Sequence, residues 1–171
     1  MRPIHLAAAA AALLLAPGIA RAQDRAPCGA DMVCASDPDS VMRAIEKAGL
    51  KPHKLVDNQG DPMITSEGAA YDFDVYFYGC EQHRHCDSLR FQVAFRKEAE
   101  NTAELANKWN VGKRFMQASV PEDGRFVVAY DVGTIGGVNQ RNFADAIDWW
   151  QSMLGELGDF FQDELKLKPK G

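Results

Sequence analysis

Four side chains able to bind metal or exchange electrons crowd one short stretch, Cys80-Glu-Gln-His83-Arg-His85-Cys86. Two chemistries fit those residue types. Thiolates and imidazoles could converge on a soft metal, or the two thiols could oxidise to a disulfide. Zinc sites favour C-x2-4-C and H-x3-5-H spacings. Here His85 abuts Cys86, so a single ion would have to bend a short loop sharply around itself. Cys28 and Cys34 repeat the same C-x5-C spacing. A redox-active pair more often shows C-x-x-C beside a helix start, and neither pair does. Of the three pairings open to four cysteines, the local one is expected, Cys28 with Cys34 and Cys80 with Cys86. The histidines are then solvated loop residues, and the chain needs neither metal nor cofactor.

Other chemistry-bearing groups are scattered. There is no G-x-S-x-G, P-loop, dinucleotide fingerprint or HExxH. Asp72 and Asp74 could pose as paired carboxylates, but at strand spacing they read as a solvated face or as partners of Arg90 and Arg96. Trp109, Asn110 and Arg114 could line a pocket, with Trp109 as core and Arg114 as a strand-edge charge being the plainer reading. No catalytic residue is assigned, and the chain is not expected to be an enzyme.

The elements that position the cysteine loop are legible around it. Tyr71–Phe95 contains two runs of apolar/polar alternation, the mark of half-buried strands. If Cys80 lies opposite Cys86, then Phe77 faces Leu89, Val75 faces Phe91, Phe73 faces Val93 and Tyr71 faces Phe95. On the other face Tyr76 opposes Arg90 and Tyr78 opposes Ser88, with both cysteines beside them. A slip of one residue would turn the apolar set into water.

Around this hairpin, Asp37 and Pro38 punctuate the start of a helix whose face is Val41, Ala44, Ile45 and Ala48, with Gly49 ending it. Residues 51–57 and 63–66 read as short strands about an NQGDP turn. A second helix starts at Asn101, with Glu104 completing an approximate capping box, and Gly112 closes it. Arg114 to Val120 and Arg125 to Val132 read as a second hairpin joined by PEDG. The last helix runs from Asn139 to about Lys166. Its main stripe is Phe143, Ile147, Trp150, Leu154, Leu157, Phe161 and Leu165. Trp149, Met153 and Phe160 form a second stripe, which is either extra core or a contact surface for another chain. These three are the candidate partner contacts. The fold class is α+β: an antiparallel sheet of about six strands, with helices packed mainly on one face and a long C-terminal helix.

The N-terminus reads as a secretory signal, residues 1–22, with Arg2 and His5 before an Ala/Leu run and an Ala20-Arg21-Ala22 cleavage site. The run is short for a permanent membrane span. Residues 23–36 form a mobile tail carrying the Cys28/Cys34 clasp, residues 37–166 the domain, and residues 167–171 a tail. Removing the signal takes the formal net charge from −5 to −7, because it carries Arg2 and Arg21 and no acid. That acidity, without a basic cluster, argues against nucleic acid and against anionic membrane surfaces. Disulfides and signal together predict a periplasmic protein with no stable membrane anchor.

Several segments carry a family resemblance. They are Gly60-Asp61-Pro62, the run from FYGC through Cys86 to SLRF, Asn107-Lys108-Trp109-Asn110 with Lys113-Arg114-Phe115, Tyr130-Asp131, and Gly137-Val138. In this order they resemble the YbjN family of bacterial proteins, described as sensory transduction regulators, over about Asp37 to Phe161. The resemblance implies a fold similar to type III secretion chaperones, small α+β proteins that bind other polypeptides, and it transfers no catalytic residue. The signal and the cysteines depart from cytoplasmic members. The expected function is an exported, non-enzymatic binding or regulatory module whose partner is another polypeptide or a second copy of itself. The alternatives are a metal-binding or redox-sensing loop at Cys80–Cys86, or an enzyme without a recognisable motif.

Overall fold

The computed structural model describes residues 26–166. The expected signal peptide and residues 167–171 lie outside them. In chain order the elements are β1 (Met32–Val33), α1 (Pro38–Lys47), β2 (Pro52–Val56), β3 (Pro62–Ser66), β4 (Phe73–Tyr78), β5 (Ser88–Phe95), α2 (Ala103–Gly112), β6 (Gln117–Ser119), β7 (Phe126–Gly133), β8 (Val138–Asn139) and α3 (Gln140–Leu165).

Six strands form one antiparallel sheet in the order β2-β3-β4-β5-β7-β6. The central hairpin takes the register that buries its apolar face, with Val75 opposite Phe91, Phe77 opposite Leu89, Tyr76 opposite Arg90 and Tyr78 opposite Ser88. Tyr71 meets Phe95 edge-on at 5.0 Å. α3 covers that face. Trp150 stands 5.7 Å from both Phe73 and Phe91, Phe143 lies 6.2 Å from Phe91, and Phe161 closes the far end against Phe95 and Phe126. Offset and edge-to-face contacts at these distances add to the area such rings bury. α1 packs beside α3 through Val41, Ala44 and Ile45, and Lys54 of β2 reaches Asp39 of α1 at 2.6 Å. The opposite sheet face carries Thr65, Asp74, Tyr76, Tyr78, Arg90, Gln92 and Asp131 in its cross-strand rows.

Outside the central hairpin, the elements depart from the sequence expectations at four places. The segment closed by the Cys28–Cys34 bridge is not a mobile tail: Val33, Cys34 and Ala35 are buried, and β1 pairs with β8. Gly137, at φ +85°, permits this, because a Cβ there would stand 2.9 Å from Met32 Cβ and 3.2 Å from Cys28 Cβ. The α2 cap is Thr102, whose hydroxyl accepts the Leu105 N–H, while Asn101 donates to the carbonyls of Arg96 and Gly124. Ala48 is exposed at the end of α1 rather than on its packed face. β6 is shorter than the expected strand, because the backbone at Phe115 turns left-handed just before it.

Candidate functional site

The cysteine loop is a strut rather than a cage. Cys80 and Cys86 are disulfide-bonded. Glu81 and Arg84 exchange backbone bonds of 2.7 and 3.2 Å around a two-residue turn, with Gln82 and His83 both at positive φ. Both cysteines were expected on the polar face, but Cys86 is 2% exposed and joins the apolar core. Gly79 accounts for this. Its φ of +64° breaks the alternation ahead of Cys80, and Asp87 places its carboxylate 2.2–2.4 Å from where a Cβ would be. The His83 ring leans on Gly60 and its Nδ1 lies 2.9 Å from Asp61 Oδ1, tying the hairpin tip to the turn between β2 and β3. Among the described residues no three His, Cys, Asp or Glu side chains are gathered to hold a metal ion.

The two disulfide-bearing segments meet at Thr134, which is 2% exposed. Its Oγ1 accepts the Ala35 N–H at 2.9 Å and donates to the Asp87 carbonyl at 3.0 Å. Ala35 follows Cys34, and Asp87 follows Cys86. One buried hydroxyl therefore joins the N-terminal clasp to the central hairpin.

The acidic and aromatic candidates separate in space. Asp72 is exposed, and Asp74 accepts from the Tyr76 hydroxyl at 3.3 Å. Burial and the nearby Asp74 carboxylate push the Tyr76 phenol above its ordinary value. Of the two readings offered for these aspartates, the exposed Asp72 fits the solvated face, and neither pairs with Arg90 or Arg96. Arg90 forks onto Asp131 at 2.7 and 2.9 Å, which raises the guanidinium pKa, and Arg96 pairs with Glu98. Trp109 takes the plainer reading, as core, and Asn110 is committed to the edge of the sheet. Trp109 is fully buried and donates from Nε1 to the Met116 carbonyl, and the Asn110 carboxamide bonds both backbone groups of Ala118.

Of the three candidate partner contacts, Met153 is 5% exposed and belongs to the core. Phe160 is half-buried against Trp109 at 5.3 Å and so joins α3 to α2. Ion pairs Lys108–Glu164 and Lys113–Glu156 flank that contact. Trp149 alone stays at the surface, 42% exposed, and beside it is a residue the helical periodicity could not supply. Phe115 is also 42% exposed, and the two rings stand 5.2 Å apart. The Met116 N–H bonds the Arg114 carbonyl at 2.8 Å around Phe115, whose φ is +66°. A three-residue turn with a positive central φ is rare and strained. It holds the Phe115 ring out beside Trp149, with the Arg114 guanidinium 4.8 Å from its centroid and Tyr130 at 6.0 Å. Burial, and then Asp145, raise the pKa of the Tyr130 phenol. No positive-φ signal such as glycine or asparagine marks Phe115 in the sequence.

Among the described residues no helix is long and apolar enough to cross a membrane. Comparison with the curated proteins returns no match. Among solved structures the chain is similar to one titled "Crystal structure of YbjN, a putative transcription regulator from E. coli", at 12% identity and a TM-score of 0.55, covering 80% of this chain and 97% of that one. At that identity the likeness is one of fold. A family model described as "Putative bacterial sensory transduction regulator" matches residues 37–163, which take in every element from α1 nearly to the end of α3. On the strength of that match, the chain belongs to the YbjN family.

Proposed function

We propose that this protein is an exported, non-enzymatic regulatory module that binds another polypeptide, working in the periplasm after loss of residues 1–22. Family membership supports a regulatory role, and the two disulfides are compatible with an oxidising compartment. The observation that carries the binding reading is the Phe115–Trp149 pair. Two large rings lie 42% exposed side by side, one on a strained turn, with an arginine stacked over it. Aromatic and arginine side chains dominate the energetics of protein interfaces. Strain persists only where the surrounding structure enforces it, and it clusters at binding and switch regions.

The test is a photocrosslinking amino acid placed at Asp148, the exposed chain neighbour of Trp149, in cells expressing the full chain. A discrete crosslinked polypeptide is expected in the periplasmic fraction. It should be lost in Trp149→Ser/Phe115→Ser, whose melting should stay near that of the parent. Truncating an aromatic anchor costs about 2 kcal/mol of binding, roughly thirtyfold. The reading fails if the protein stays in the cytoplasm with reduced cysteines, or if the double variant crosslinks as before.

A further inference from the structure

The other side of the sheet carries a second feature that the docking surface does not use. The turn between β2 and β3 leans beside β4 and encloses an open pocket of about 350 Å³. This is within the range of small-molecule sites. It is lined by Asp57, Asn58, Gln59 and Asp61 of the turn and by sheet residues that include Tyr76 and Tyr78, a set that combines two phenols with two carboxylic acids. No lysine, arginine or histidine is among the lining residues.

The turn that forms one wall is held in place before any ligand arrives. Asp57 Oδ1 accepts the N–H groups of Gln59 at 2.8 Å and Asp61 at 2.9 Å, and the Asp57 N–H bonds the Asp61 carbonyl at 2.9 Å. Gly60, at φ +93°, leaves room for the His83 ring, which braces the turn from the hairpin tip through Asp61. The opposite wall shows its own affinity for cations. The Arg90 guanidinium sits 5.4 Å from the Tyr78 ring centroid, although its charge is already forked onto Asp131. Electron-rich rings combined with carboxylates, in a concave site with no basic residue in its lining and with Arg90 and His83 only at its margin, are the chemistry that recognises organic ammonium ions.

We propose that this pocket binds an organic ammonium group, the chemistry shared by a choline-type quaternary amine and the primary amine of a lysine side chain. The rings take the cation's apolar shell and the carboxylates of the turn supply the counter-charge. One side of the pocket is those turn residues, and the other is Tyr76, Phe77, Tyr78 and Gly79 of the β4 end with Gln92 of β5.

The experiment is an amide-resolved NMR titration of the full mature chain with three probes: choline, n-butylammonium and the uncharged carbon isostere of choline. Sodium chloride at equal ionic strength is the reference. Saturable shifts at Tyr76, Tyr78, Gly79 and Gln92 are expected with at least one ammonium probe and not with the isostere. Choline responding alone points to a free quaternary ligand, and n-butylammonium alone to a lysine side chain. Tyr76→Leu and Asp61→Asn should each weaken binding about tenfold. The proposal is overturned if neither ammonium probe exceeds sodium chloride, if the isostere matches choline, or if both variants fold and bind as the parent does. Should either variant misfold, the comparison of charged and uncharged probes on the parent chain still decides.

Discussion

Asn110 bonds Ala118 twice, its Nδ2 donating to the carbonyl at 3.0 Å and its Oδ1 accepting the N–H at 2.8 Å. Ala118 is the middle residue of the edge strand β6, so the carboxamide stands where a further strand would pair. Exposed strand edges invite association with other chains, and natural proteins cover them. The neighbouring Trp109 makes the same connection one step earlier, at Met116. Trp109, read from the sequence as core, and its neighbour Asn110 together form a seal. Asn110→Ala should lose about 2 kcal/mol of stability, about 1 for each bond, read as a lowered urea midpoint. Sedimentation should also show stronger concentration-dependent association than the parent shows. A variant as stable and as dispersed as the parent would remove this role.

Thr134 is the joint between clasp and hairpin. Thr134→Val keeps the shape and removes both hydrogen bonds, leaving the Ala35 N–H buried and unpaired. A loss of about 2 kcal/mol follows. Hydrogen exchange should locate it. The Ala35 amide should lose protection by a larger factor than Phe91 or Val93 in the central strands. Equal loss at all three would mean that the hydroxyl acts only on global stability.

Gly79 is irreplaceable for two separable reasons, its left-handed φ and the Asp87 carboxylate lying where a side chain would begin. Gly79→Ala should cost at least about 2 kcal/mol, since the left-handed region alone costs about 1–2. Adding Asp87→Ala should restore part of that loss by clearing the space, leaving the backbone term. Comparing the two variants in thermal melts separates the contributions. A double variant no more stable than the single one would assign the whole cost to the backbone.

Burial is the leading cause that raises the phenol pKa of Tyr71, Tyr76 and Tyr130, with Asp159, Asp74 and Asp145 adding to it in turn. A raised value in the folded state means that the folded protein holds these protons more tightly than the unfolded chain does. Their contribution is whole below the ordinary tyrosine value near 10.0 and is lost as pH climbs through the folded-state values. Urea midpoints measured from about pH 8 to about pH 11 should fall at the alkaline end. Tyr76→Phe should flatten part of that fall, and ultraviolet absorbance should show late phenolate formation. An unchanged slope in Tyr76→Phe would count against the role given to Tyr76.

The hairpin was readable because its two constraints agree. Alternation assigns each side chain to a face, and only one register puts Phe77 on Leu89 and Val75 on Phe91 together. The main stripe of α3 was readable for the same reason at helical period. What escaped depends on who lies across from whom. Trp149 and Met153 share a stripe in sequence, yet Met153 is core and Trp149 is surface, because helix periodicity does not say where the sheet beneath it ends. β1 is two residues long and its partner β8 lies at the other end of the domain, so nothing local announces it. The left-handed turn at Phe115 and the pocket beside Tyr76 are likewise tertiary facts. The first lacks the usual glycine, and the second needs the β2–β3 turn to lean over β4.

The Ala35–Thr134 bond spans 99 positions of chain, whereas each disulfide spans only 6. A chain that emerges N-terminus first therefore completes its parts in a fixed order. The Cys28–Cys34 ring can close almost at once, and a bond so local leaves little time for mispairing with Cys80 or Cys86. Docking that ring must wait until β8 has arrived, because the surface it rests on does not yet exist. The first segment of the domain to appear is thus among the last to be seated, and its seating marks that the rest of the fold is in place.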